Sequence, residues 1–175
     1  MCDKLPELQL PQATVTQADA SALPFPDANF DLVIANNMLH HLDNPEAAVR
    51  EFARVLRSDG QLRVSLNGRD HIEELLALGA AVGRPSPIPD AARITAETAP
   101  DLLSRYFKGV KTERFPGGYD VPDPEPVLGY LEIWANEPVS TEQEANARSL
   151  IDRKINEEGG FKRRKNMVLF PATKS

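Results

Sequence analysis

An α/β domain built on a parallel sheet with crossover helices is predicted by three observations. DLVIAN (31–36) is a near-continuous apolar run that turns polar only at its end, the pattern of a parallel strand buried on both faces. A helix follows, announced by Asn44 as N-cap and Pro45 at the first helical position, with Val49, Phe52, Ala53 and Leu56 recurring at helical spacing. QLRVSL (61–66) and HIEELLAL (71–78) then repeat the alternation, and strand, helix, strand, helix in that order argues for a parallel sheet.

The remaining elements are read in chain order. ATVTQAD (13–19) has the β-branched content of a short strand, and SALPFPDANF after it is a turn-rich loop. Asp59-Gly60 stops the first helix. GRPSPIPDAAR (83–93), too rich in proline for a helix or a central strand, is expected to be a lid or insertion. Thr98 to Phe107 should be helical, VKTERF (110–115) a strand, and Gly117-Gly118 its exit. VPDPEPVLGYLEIW (121–134) should become a short helix after Pro126. Thr141 to Glu157 is a charged helix ended by Gly159-Gly160, and FKRRKNMVLFPATK (161–174) is a last strand, with a hairpin back onto VKTERF as one arrangement.

Composition narrows the function classes. With 175 residues and 41% apolar content, the chain suits one domain with a single sizeable core. No run approaches the length of a membrane helix, and MCDKLPELQL lacks a signal-peptide layout, so no membrane partner and a cytoplasmic location are expected. The single cysteine, Cys2, can form no internal disulfide and fits a reducing compartment. A net charge of −6 gives no attraction to phosphate backbones, so no nucleic-acid partner is expected, and Lys162 to Lys165 is taken as a solvated strand edge.

In an open α/β sheet, ligands sit outside the carboxyl ends of the strands, which makes Asp19, Asn36 and Asn67 the candidates. At this point the stretch DASALPFPDANFDLVIANNMLHHLDNPEAAVREFARVLRSDGQL (19–62) closely resembles the middle of class I S-adenosylmethionine-dependent methyltransferases of the ubiquinone/menaquinone-biosynthesis type. It combines an acidic residue after a strand, an LPFPD turn, an FDLVIA strand, an LHHL segment, a proline-started helix and an RVL ending. Weaker resemblance covers 94–134 and 161–174. The resemblance implies S-adenosylmethionine as cofactor, a small-molecule methyl acceptor and a Rossmann-like sheet with helices on both faces. It implies that Asp19 accepts a hydrogen bond from the adenine amino group, that Ala20 offers backbone beside it, and that Asn36 approaches the methionine part of the cofactor. His40 and His41 fall where cofactor and acceptor meet and are the candidate catalytic residues, one as a general base; strand capping and loop packing is the alternative for the pair. A metal site from His40, His41 and Asp43 is not expected, and His71 is taken as structural.

The chain departs from the family in having no G-x-G segment, so the glycine loop and the ribose-holding acid of the second strand are expected to be missing, together with the first two strands. In the family's strand order 3-2-1-4-5-7-6, that would leave DLVIAN as an apolar edge inviting self-association, and a homo-oligomer is one expected state. The domain is divided as a cofactor-side half (1–67), a lid and substrate region (83–134) and a C-terminal strand (161–174). Two functions remain at this stage: methyl transfer to a small molecule by the full-length form, or a non-catalytic remnant unable to hold cofactor.

Overall fold

The computed structural model describes residues 13–85, 94–135 and 138–175, and within these the sheet is built from five strands. β1 (Phe30–Asn36) pairs in parallel with β2 (Leu56–Asn67), and the helix between them, α1 (Pro45–Val55), is the crossover. β5 (Phe161–Lys174) lies antiparallel beside β2, so the chain's final strand occupies the middle of the sheet. On the far side of β5 sit β3 (Phe107–Lys108) and then β4 (Glu113–Val121), which together flank nearly its whole length. The order β1, β2, β5, β4 is the one the resemblance implies for its last four strands.

Helices cover both faces, as expected. Strand alternation sends Ala35, Leu62, Val64, Val168 and Phe170 to one face, where α1 and α3 (Ala99–Leu103) close a core over them. Phe161 and Val121 point to the other face and join a second core with α2 (Glu73–Ala81), α4 (Pro124–Ala135) and α5 (Thr141–Glu158). Phe170, Leu62 and Phe161 are wholly buried, each contributing about 1.5–3 kcal/mol of apolar burial. No helix among the described residues is long and apolar enough to cross a membrane.

Several expectations are corrected. β1 is parallel but not buried on both faces: Leu32 is 46% and Ile34 67% exposed, because among the described residues no helix packs over that face of β1 and no strand pairs with its outer edge. ATVTQAD forms no strand; only an isolated bridge, Asp19 to Ala22, occurs there, since a β-branched run makes a ladder only where a neighbour offers one. Thr98 to Phe107 is helical only as α3, and Phe107 already belongs to β3. VKTERF enters the sheet at Glu113, and the strand runs on through Gly117-Gly118, where a Cβ on Gly118 would stand 3.0 Å from the Arg163 carbonyl oxygen. β2 starts at Leu56, taking in the RSDG turn with Asp59 at φ 59°. Lys162 to Lys165 is not an edge, because β4 pairs along one side and Ile72 N donates to Arg164 O from the other. The proposed lid at 83–93 lies mostly outside the described residues.

Candidate functional site at the carboxyl ends of β1 and β2

Because β1 and β2 run parallel, Asn36 and Asn67 end on the same side of the sheet, with Ser65 directly opposite Asn36. The Ser65 hydroxyl ties the end of β1 together. It donates to Asn36 Oδ1, and Asn37 N donates to Ser65 Oγ and to Ser65 O, each at 3.0 Å. Asn37 takes a left-handed conformation, φ 50°, a geometry that asparagine tolerates better than most residues, and the chain turns sharply out of the sheet. Two acceptors at these strand ends, Asn37 Oδ1 and Asn67 Oδ1, are buried and receive no hydrogen bond among the described residues. Buried acceptors are almost always paired, so this edge is chemically suited to a ligand carrying N–H or O–H donors.

Beyond Asn37 comes a single 3₁₀ turn, Leu39–His41, pinned by the fully buried Leu39 and by His41 N donating to Met38 O. His40 is half-buried and His41 exposed, with ring centroids 3.9 Å apart at 45°. Burial, and then the charge of His41, hold His40 below the ordinary histidine pKa, which leaves it neutral at neutral pH and able to accept a proton. Asn44 then accepts from Ala47 N at 3.0 Å and starts α1, with Pro45 at its first position as the sequence predicts.

Asp19 lies on the surface in the loop before β1. Ser21 donates to its Oδ1 from both Oγ (2.7 Å) and N (2.8 Å), and these bonds hold the carboxyl below its usual range. The turn role and the ligand role are compatible, since Oδ2 receives no hydrogen bond among the described residues. Ala20 is half-buried against the first core. No hydrogen bond or ion pair among the described residues joins Asp19 to Asn36, His40 or His41; the loop and the strand end are connected through α1.

That connection rests on a pair of residues the sequence reasoning passed over. Arg54 donates to Glu51 through Nε and Nη2, both at 2.8 Å, and to the Leu23 carbonyl (2.9 Å), the Phe25 carbonyl (2.8 Å) and Asp27 (2.7 Å). Glu51 in turn accepts from Leu23 N at 2.9 Å. The Arg54 guanidinium, chiefly, and the Leu23 amide lower the Glu51 pKa to about 2. The available signal was an acid and a base three residues apart on one helix, downstream of a proline-rich turn with unpaired carbonyls. Ser65, a lone hydroxyl at the end of an apolar strand, was also missed. His71 is structural as expected: its Nδ1 accepts from Asn166 N at 3.2 Å. Among the described residues, no group of three or more histidine, cysteine or acidic side chains is arranged to hold a metal ion.

Comparison with known proteins bears on the sequence and the fold. Residues 2–64 match the family described as methyltransferase domain. Over 59 residues, 34% of this chain and 22% of the relative, the chain is 44% identical to a probable S-adenosylmethionine-dependent methyltransferase of Mycobacterium tuberculosis (strain CDC 1551 / Oshkosh). Over 48 residues, 27% of this chain and 19% of the relative, it is 50% identical to the ubiquinone/menaquinone biosynthesis C-methyltransferase of Xanthomonas oryzae pv. oryzae. The matched stretches thus span about a fifth of the length of these curated relatives. In fold, the chain is similar to a candidate methyltransferase from Bacillus halodurans C-125, with a TM-score of 0.59 at 19% identity, over 93% of this chain and 78% of that one. Residues 2–64 therefore match methyltransferase-domain sequence, and the chain as a whole has a Rossmann-like fold similar to that solved methyltransferase-like structure.

Proposed function

We propose that the protein acts in S-adenosylmethionine-dependent methyl transfer to a small molecule. The observation that carries this is the strand-end arrangement of Asn36, Asn37, Ser65 and Asn67, with two buried acceptors that have no hydrogen-bond partner among the described residues, at the carboxyl ends of the strands where α/β sheets bind ligands. Asp19 and Ala20 would hold the adenine, through the carboxylate and the adjoining backbone, and Asn36 and Asn37 the methionine portion. A sulfonium cofactor supplies an activated methyl group. The chain's own part is placement and exclusion of water, with His40, half-buried and neutral, taking a proton from the acceptor where the acceptor has one to lose. His41, exposed and stacked against it, orients the ring.

A second reading is a methyltransferase-derived chain that does not hold the cofactor by itself. One observation favours it: next to Asn36, the outer edge of β1 pairs with no strand among the described residues, and Ile34 is exposed. Equilibrium binding of S-adenosylmethionine to the 175-residue protein, with its mass followed by light scattering, separates the two. Micromolar binding by a monodisperse monomer, weakened severalfold by Asp19→Ala, supports the first; absence of saturable binding by the folded chain supports the second.

A further inference from the structure

We propose that the β4–β5 strand pair holds a binding site for a small monocarboxylate with an apolar or aromatic body, built around Arg163. Of four consecutive cations on β5, two have acidic partners. Lys162 Nζ lies 3.6 Å from Glu158, and Arg164 reaches Glu73 at 3.2 Å and Asp70 at 3.3 Å. Alternation turns Arg163 and Lys165 to the other face of the strand, and among the described residues neither has a carboxylate partner. Arg163 is half-buried, and its Nε is buried without an acceptor. Its guanidinium carbon stands 4.8 Å from the centroid of the Tyr119 ring and 5.7 Å from that of Tyr130.

This cation belongs to a pocket of about 270 Å³ whose other walls include Leu75, Val121, Val127 and Phe161. Asp120 also lines it, but Asp120 sits opposite Lys162 in the register, and alternation directs it away from Arg163. A guanidinium stays charged at any ordinary pH, and a carboxylate matches its planar donor fork with two parallel hydrogen bonds. The volume is just below the roughly 300 Å³ at which drug-sized sites begin, which suits an acid with one ring or a short chain. The apolar walls disfavour a strongly hydrated dianion. None of this rests on the methyl-transfer reading, because the pocket is formed by different residues and is assayed by binding alone.

The test is calorimetric titration of the full chain with 3-phenylpropionate and, separately, with its neutral amide. The carboxylate should bind at least tenfold more tightly than the amide, and Arg163→Met should remove that difference while Arg163→Lys keeps part of it. Equal affinities for acid and amide, no saturable binding of the acid, or a difference that survives in Arg163→Met would overturn the proposal. The acid and amide comparison is made on the unaltered protein, so the outcome stands even where Arg163→Met fails to fold.

Discussion

Two histidines with depressed pKa values have different consequences. His40 sits on the site edge, and its neutrality gives it a proton-accepting lone pair at neutral pH. In any form of the protein that turns over, His40→Gln should lower kcat at least tenfold with cofactor affinity changed less than twofold, since general-base catalysis contributes on the order of 10²–10⁴. Steady-state kinetics beside cofactor titration checks this, and equal loss in both would assign His40 to packing. His71 is held down by burial, and then by the charges of Arg163 and Lys165. For a histidine whose folded-state pKa lies below its unfolded value of 6.5, the unfolded chain binds the proton more readily. The stability that His40 and His71 contribute is thus complete above about pH 6.5 and is lost as the pH falls below it. Thermal melting at pH 5.5 should give a lower Tm than at pH 7.5, and His71→Asn should narrow that gap; a Tm independent of pH across this range would contradict it.

At the level of elements, local signals and tertiary ones were unequally legible. α1 was readable because Asn44 and Pro45 state its start chemically, and α5 because a polar helix has to be held at its ends. There Ser140 Oγ accepts from Gln143 N at 3.2 Å, and Gln143 Oε1 accepts from Ser140 N at the same distance, forming a capping box, while Gly159 closes the helix at φ 79°. Ser140→Ala should cost about 1 kcal/mol, read as a lower denaturation midpoint with unchanged slope. β5 was legible as a strand over its full length and its pairing with VKTERF as one arrangement, while its place beside β2 came only with the resemblance's strand order, because an apolar run does not itself say which neighbours it will find. The same limit explains ATVTQAD, whose composition promises a strand that no described neighbour pairs, and Gly117-Gly118, which look like an exit but permit close approach to Arg163. At the candidate site, Asn36 and Asn67 could be placed at the carboxyl ends of their strands by strand-end logic, and the histidines just beyond by the resemblance. Ser65, Glu51 and Arg54 could not, because their roles depend on partners more than twenty residues away in sequence.

For the molecule as a whole, the open side of β1 is where self-association is expected. Leu32 and Ile34 lie exposed on one face of a strand whose outer backbone groups have no partner among the described residues, a template for pairing with another chain. Light scattering over a concentration series should show self-association, and Ile34→Lys should suppress it without lowering Tm; a monomer at every concentration would remove the edge from consideration. The middle position of β5 has a different outcome, in time. Lys174 Nζ donates to the Leu56 carbonyl across 118 residues of sequence, and β5 joins β2 to both β3 and β4. During synthesis β2 therefore waits with its second edge bare until β5 emerges, so folding is closed by long-range pairing and should be slow. A chain that lacks the segment from Phe161 on can pair β1 with β2 but leaves the second edge of β2 without the strand that covers it.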